Sequence, residues 1–567
     1  MFQPHHGGKA RAPCPGQGRG GGALENQHRA GRLGVKAAGR RIVVVGAGMS
    51  GLTAAAYLSR EGQEVLLIEK NSDVGGLLNS FKRDGYLFDA GPRSLINSGI
   101  VRPMIRQLGI DLELLPNVVS VGIEDEVIRI TSKDSLKDYE RLLKTMYPES
   151  IADIDTILSK IKAILKHMAV LYGIDNPNFK DLKNDKQFLV GELLPWFPKF
   201  LFSLYKMNRM NEPLEDFLGR LSADQSLMDI IAQHFFKKTP SFFALGYFYV
   251  YLDYLYPRNG TGELPRAMKQ KILDWGGTIQ ADARITEVVP SEKTALDAHG
   301  RSYRYDRLVW CADLKTLYRC LKTDGLNPKV KANINKQKDL LLSKHGAESV
   351  FTLFLGVEED PETFRSVCSE HFFYTPSRKG LGETHRSDIK KIIDDFPNKT
   401  QKEILRWLDA YCELTTYEIS IPALRQKSLA PEGKTGLIIS FLFEYELMKK
   451  IRDAGWYEEF KTEVEDRMVN VLSRSIYPGL KGKVRLRFSS TPISLFNRVG
   501  SSEGAIIGWS YETGVPAVSN LRKIASSVKT PVPGVLQAGQ WTFSPAGIPT
   551  AILTGSFAAH RILKNKS

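Results

Sequence analysis

Arg41-Ile-Val-Val-Val-Gly46-Ala-Gly48-Met-Ser-Gly51 is the stretch on which the fold of this 567-residue chain turns. Arg41 to Val45 ends in four β-branched apolar residues, the composition of a short buried strand. It runs directly into three glycines spaced G-x-G-x-x-G, and then into a helical pattern that stops at Gly62. In this strand–turn–helix context Gly46 permits the tight turn, Gly48 lets the backbone approach a pyrophosphate, and Gly51 lets the helix pack close on the strand. Met49 and Ser50 open the helix, whose unpaired N–H groups and dipole favour phosphate. A second strand, Glu64 to Ile68, leads to Glu69, whose carboxylate can accept both ribose hydroxyls of an adenosine. The same carboxylate would repel the 2′-phosphate of NADP. Together these residues predict a dinucleotide site.

Working outward, the length exceeds one core and implies two or three domains. A composition of 42% hydrophobic, 10% aromatic and 25% charged residues is that of an ordinary globular protein. The net charge of +15 is unevenly spread: residues 1–40 hold seven basic residues against Glu25 alone, while the remainder is mixed in sign. Such interspersed charge argues against nucleic acid as a partner and suits contact with an anionic membrane surface. Residues 1–40 also contain ten glycines and no apolar periodicity, so they are expected to be a disordered tail, with the natural start near Val35. The tail has no signal-peptide core. The five cysteines lack a C-x-x-C pair and the ten histidines form no H-E-x-x-H pattern, so neither a disulfide framework nor a metal is expected. A cytoplasmic location follows, with peripheral contact at the inner face of the membrane. Phe242–Tyr256 and Phe188–Met207 are aromatic, but charges and prolines interrupt them and neither is expected to span.

Lys70 is followed by a second glycine turn, Gly75-Gly76-Leu77, and by Phe88-Asp89-Ala90-Gly91-Pro92. At this point the sequence resembles the FAD-dependent phytoene desaturase and carotenoid isomerase family, within the wider amine-oxidase-like flavoproteins. Tyr256-Pro-Arg-Asn-Gly260-Thr-Gly-Glu-Leu264-Pro265 is similar to a further family segment, with Asn259 in place of a usual glycine. Tyr305–Asp313, with Cys311 in a usual asparagine position, Glu418–Pro422 and Ser428–Pro431 extend the likeness, and the chain closes on Gly539-Gln540 and Gly547-Ile548-Pro549. The resemblance implies FAD as cofactor. It places Gly46, Gly48, Met49, Ser50, Gly51, Glu69 and Lys70 at the adenosine and pyrophosphate, Gly75, Gly76, Leu77, Gly91 and Pro92 along the pyrophosphate and flavin, and Val288 against the adenine. Gly539, Gln540, Gly547, Ile548 and Pro549 fall at the ribityl and pyrimidine end, where a helix N-terminus would stabilise negative charge on the reduced ring.

The expected architecture is α/β: a Rossmann-type, glutathione-reductase-like FAD domain assembled from 41–130, 258–345 and 480–567. A helical lid (131–257) and an α+β substrate domain (346–479) are inserted into it. The aromatics of the lid either form a plain core or line an apolar tunnel and a membrane-dipping surface. Arg93, directly after Gly91-Pro92, is the catalytic candidate: its guanidinium either stabilises anionic reduced flavin or grips a substrate carboxylate, or it simply pairs with a structural carboxylate. Asp253, Tyr254 and Tyr256 are weaker candidates. The function implied is an FAD-dependent oxidoreductase, whether desaturase, saturase or isomerase, acting on carbon–carbon bonds of a hydrophobic isoprenoid or lipid-like molecule. A flavin amine oxidase and a non-catalytic FAD carrier are the alternatives.

Overall fold

Arg41–Val45 forms the centre of a five-stranded sheet, flanked by Glu64–Ile68 and Arg307–Trp310, with Thr278–Gln280 and Val535–Gln537 at the edges. Every pairing is parallel, with Val44 opposite both Leu67 and Val309. Four of the five residues of the central strand are buried, which is why its run is uniformly apolar rather than alternating. The computed structural model that gives these positions describes residues 40–564; the expected tail, apart from Arg40, lies outside the described residues.

Helix Met49–Arg60 is buried on nearly all sides, which its alanines Ala54, Ala55 and Ala56 make possible at close range. One flank rests on the sheet and another on the C-terminal helix Ile548–Lys564. The two helices approach so closely at Gly555 that a Cβ there would lie 2.3 Å from the Ser50 carbonyl oxygen. The two ends of the sequence therefore meet in one layer, as the two glycine turns predict.

A seven-stranded sheet forms the second body of structure. Its order is Val484–Ser490, Ser349–Val357, Thr435–Phe443, Tyr417–Ser420, His371–Thr375, Val119–Ile123 and Glu126–Ile130. Only the pairing of His371–Thr375 with Val119–Ile123 is parallel. Strands Val119–Ile123 and Glu126–Ile130 thus pair away from the segment 41–130 assigned to the dinucleotide fold, and Val484–Ser490 pairs away from 480–567. Val484–Ser490 alternates between half-buried and exposed over Val484–Phe488, as suits an edge strand covered on one face.

Between these bodies, Ser135–Met146 and Ile151–Leu171 form helices as their periodicity predicts, and Ile154, Ile157, Leu158, Ile161 and Ile164 make the buried stripe of the longer one. Phe242–Tyr256 breaks into two short helices and the strand Tyr254–Pro257. Among the described residues no helix is long and apolar enough to cross a membrane.

Asp89 binds two distant segments together. Its carboxylate accepts from Ser80 Oγ (2.6 Å), Tyr256 Oη (2.8 Å), and the backbone N and Oγ1 of Thr261 (both 2.9 Å), fixing the Phe88–Pro92 segment against Tyr256–Thr261. Asn259, in that same segment, has φ +70°, a left-handed conformation that asparagine tolerates better than most side chains, so it can occupy a glycine position.

Candidate functional site

The C-terminal ends of the parallel strands open onto a cavity of about 940 Å³, at the upper end of the ~300–1,000 Å³ usual for small-molecule sites. Such crevices outside strand carboxyl ends are where α/β sheets bind ligands. Gly46, Gly48, Met49, Ser50, Glu69 and Lys70 line it, joined by Gly75, Gly76, Leu77, Gly91, Pro92 and Arg93. From the far end of the chain come Gln540, Gly547 and Ile548. The structure therefore brings residues 46–93 together with residues 540–548, more than 400 positions further along the chain.

Three predicted residues stand behind the lining. Gly51 has room for nothing larger, because its Cβ would fall 1.8 Å from the Gly46 carbonyl oxygen. Gly539 (φ +109°) shapes the turn, its N–H donating to Thr554 Oγ1 at 3.0 Å. Pro549 is buried in the first turn of the C-terminal helix. A fourth, Val288, is displaced from the expected place: it is fully buried and bridges to Leu321, while Ala283, Arg284, Ile285 and Thr286 line the cavity instead. The cause is the hydrogen bond from Ala283 N to Glu69 O (2.9 Å), which lays the start of that segment, not its end, beside the ribose-side carboxylate.

The geometry suits a dinucleotide. A Cβ built on Gly48 meets no protein atom within 4 Å, so a side chain there would enter the space a pyrophosphate needs. Glu69 is held in place by the N–H groups of Ala47 (2.8 Å) and Asn71 (3.0 Å), at the mouth of the helix N-terminus. Opposite this cradle the wall is aromatic and aliphatic, with Phe235, Phe236, Phe243, Tyr247, Tyr254, Phe373 and Phe441. Burial pushes the Tyr247 phenol up to about 12 and the His234 imidazole down to about 4, so both are neutral near pH 7.

One row of the seven-stranded sheet forms the floor of this second part. Register places Thr352 opposite Ser440, Ser440 opposite Glu418, and Glu418 opposite Phe373, all four lining the cavity. Arg93 reaches across from the dinucleotide side to this row, its Nη1 donating to Glu418 Oε2 at 2.6 Å and Ser440 Oγ at 2.9 Å. His371 Nε2 lies 3.1 Å from Glu418 Oε1, outside hydrogen-bond alignment. Burial raises the Glu418 carboxyl, but Arg93, with lesser help from His371 and Ser440, outweighs it and holds the group down at about 2. Burial in turn lowers the His371 imidazole against the pull of Glu418, which leaves Arg93 as the counter-ion. The accessible part of Glu418 faces the cavity rather than bulk water.

Arg93 is thus both cavity-lining and ion-paired. Of the weaker candidates, Tyr254 lines the cavity, whereas Tyr256 is consumed by Asp89 and Asp253 accepts from the Ser98 N–H. Sequence reasoning missed Glu418, Ser440 and His371 as site residues. The one available signal was Glu418 itself, a charge between Tyr417 and Ile419, both of which face the core.

Residues 49–396 match the flavin containing amine oxidoreductase family, and residues 6–84 match the pyridine nucleotide-disulphide oxidoreductase family. Among curated proteins, a 4,4′-diapophytoene desaturase (4,4′-diaponeurosporene-forming) of Staphylococcus aureus (strain COL) is 23% identical over 93% of this chain and 99% of its own. Among solved structures, an oxidoreductase from Methanosarcina mazei is 12% identical with a TM-score of 0.57, covering 93% of this chain and 100% of that one. Wild-type putrescine oxidase bound to putrescine is 15% identical with a TM-score of 0.56, covering 93% and 99%; at such identities these two likenesses speak for the fold alone. With the glycine cradle, the crevice and a family match over more than half of its length, the chain belongs to the flavin containing amine oxidoreductase family and is an FAD-dependent oxidoreductase.

Proposed function

We propose that the protein desaturates a long, apolar isoprenoid or other polyene at FAD. The observation that carries this reading is the continuity of one cavity from the glycine cradle to an aromatic wall. Bound FAD supplies a two-electron acceptor for a C–H bond beside a double bond. The chain's own contribution is to hold the cofactor with Gly48, Glu69 and the turns at Gly75-Gly76 and Gly547, to line the adjoining space with Tyr247, Phe243 and Phe373, and to exclude water from it. The neighbouring tyrosines and His234 stay neutral and bring no charge to an apolar ligand. Similarity to the staphylococcal desaturase over nearly the whole chain supports the same reading. Anaerobic mixing with a linear polyene should bleach the flavin absorbance; bleaching by a diamine and not by any polyene would favour an amine oxidase instead.

Gly48→Val tests the cradle. Its φ of −72° suits any residue and its Cβ meets no neighbour, so the fold should survive with little change in denaturation midpoint. FAD affinity should fall by at least about a hundredfold, equivalent to roughly 2.7 kcal/mol, measured by flavin retention on dialysis.

Peripheral contact with the cytoplasmic face of a membrane completes the reading. Val190, Leu194, Phe197, Phe202 and Tyr205 are each at least half exposed along 188–208, a continuous apolar surface on two helical segments. Lys199, Lys206 and Arg209 are exposed on the same helix and its cap, and the last two stack on Phe202 and Tyr205. An apolar stripe with basic flanks suits the interface of an anionic bilayer. The protein should float with phosphatidylserine-containing liposomes, and Phe197→Ser with Phe202→Ser should leave it in the dense fraction.

A further inference from the structure

Arg93 offers a donor that the protein does not use. Its side chain is 6% exposed and lines the cavity, and while Nη1 is committed to Glu418 and Ser440, Nε is buried with no hydrogen-bond partner among the described residues. A buried N–H without an acceptor is costly and marks a place where a ligand atom belongs. Asn117 Nδ2 donates to the Arg93 carbonyl at 3.3 Å, and Glu418 and Ser440 sit on adjacent paired strands, so the guanidinium is fixed from both ends. The charge is already balanced by a carboxylate 2.6 Å away.

We propose that Arg93 anchors a neutral oxygen, carbonyl or hydroxyl, carried by an otherwise apolar substrate, so that the preferred ligand is an oxygenated polyene rather than a hydrocarbon or a carboxylate. The inference rests on the polyene reading above and narrows its substrate class. A carboxylate would meet Glu418 beside Arg93 and be repelled, whereas a carbonyl accepts from the guanidinium without adding charge. The surrounding Phe235, Tyr247, Phe373 and Phe441 accommodate the chain.

The test is anaerobic titration of the holoprotein with three probes of equal carbon number: a linear conjugated polyene hydrocarbon, its terminal aldehyde and its terminal carboxylate. Binding is read from the perturbation of flavin absorbance and reaction from its bleaching. The aldehyde should bind about tenfold to a hundredfold more tightly than the hydrocarbon, as expected for a hydrogen bond to a charged donor. Arg93→Met should erase that preference, and Glu418→Gln, which leaves the guanidinium uncompensated, should shift it toward the carboxylate. Equal affinities for the three probes in the unmodified protein would overturn the anchor, and that measurement needs no variant to fold. An Arg93→Met protein that keeps the preference while its flavin spectrum or potential moves would also overturn it, placing the guanidinium on the cofactor. If the aldehyde binds tightly but no probe bleaches the flavin, the desaturase reading fails and the anchor stands. If the hydrocarbon bleaches the flavin and binds as well as the aldehyde, the anchor fails and the desaturase reading stands. No binding by any probe overturns both.

Discussion

Gly51→Ala is expected to yield a protein that neither holds FAD nor folds to full stability. The added methyl would fall 1.8 Å from the Gly46 carbonyl oxygen and 3.3 Å from Cys311 Cβ. Gly46 and Cys311 directly follow the buried strands Arg41–Val45 and Arg307–Trp310, so the helix Met49–Arg60 must lift away from the sheet to make room. That helix is in turn clamped by Ile548–Lys564 through the contact at Gly555. Overpacking of a rigid core costs roughly 1–3 kcal/mol and more where nothing can yield, and here the cost should reach at least about 3 kcal/mol. Urea denaturation and the absorbance of the purified protein measure it. The contrast with Gly48→Val is diagnostic, since a glycine required by the protein's own packing and one required by the cofactor should fail in different assays.

Arg93→Met should be the most damaging change in the cavity wall. It leaves the Glu418 carboxylate inside the protein without its counter-ion, and breaking a buried pair from one side costs roughly 3–5 kcal/mol. Replacing both residues together by methionine should cost less than the sum of the single changes, because the uncompensated charge is then gone. The pH dependence gives the sign. Glu418 titrates at about 2 in the folded protein, below the ~4.3 of an unfolded chain. Its contribution is therefore complete above the unfolded value and is lost as pH falls through the folded one. In Arg93→Met the largest opposing influence is gone, and burial, offset only in part by His371 and Ser440, raises the carboxyl, so the group favours folding more as acid is added. The stability gap between wild type and variant should be widest near pH 7, begin to close as pH falls through the variant's raised carboxyl value above ~4.3, and go on closing below it as wild type loses its own contribution. Urea midpoints at pH 7, 5 and 3.5 would show it; a gap independent of pH would mean that Glu418 is not the partner that matters.

The dinucleotide half was legible because its determinants are local. A strand with four consecutive apolar residues, three spaced glycines and a terminal acidic residue lie within residues 41–69, and Arg41–Val45, Met49–Arg60 and Glu64–Ile68 form where that pattern puts them. The helical insertion was legible for the same reason, through the 3.6-residue spacing of Ile154 to Ile164. The floor of the cavity was not. Thr352, Ser440, Glu418 and Phe373 become neighbours only through the register of four strands that the chain visits in a different order, and no spacing along the sequence encodes that row. Val288 was misplaced by a related cause: a backbone hydrogen bond from Ala283 to Glu69 decides which end of the segment faces the cavity. The alternation of Val484–Ser490 marks an edge strand but not which sheet it joins, and Val119–Ile123 carries no such mark at all.

The parallel sheet takes its strands from residues 41–68, 278–310 and 535–537, and its covering helix from the final turns of the chain. During synthesis the ribosome releases the glycine turn at Gly46 almost five hundred residues before the strand and helix that complete its surroundings. Until Val535–Lys564 emerges, the apolar flank of Met49–Arg60 has nothing to rest against, and contacts of such long range form slowly. A nascent chain of this protein therefore becomes able to take up flavin only once Val535–Lys564 has emerged, and any truncation before residue 535 should leave a polypeptide that a chaperone retains rather than a smaller flavoprotein.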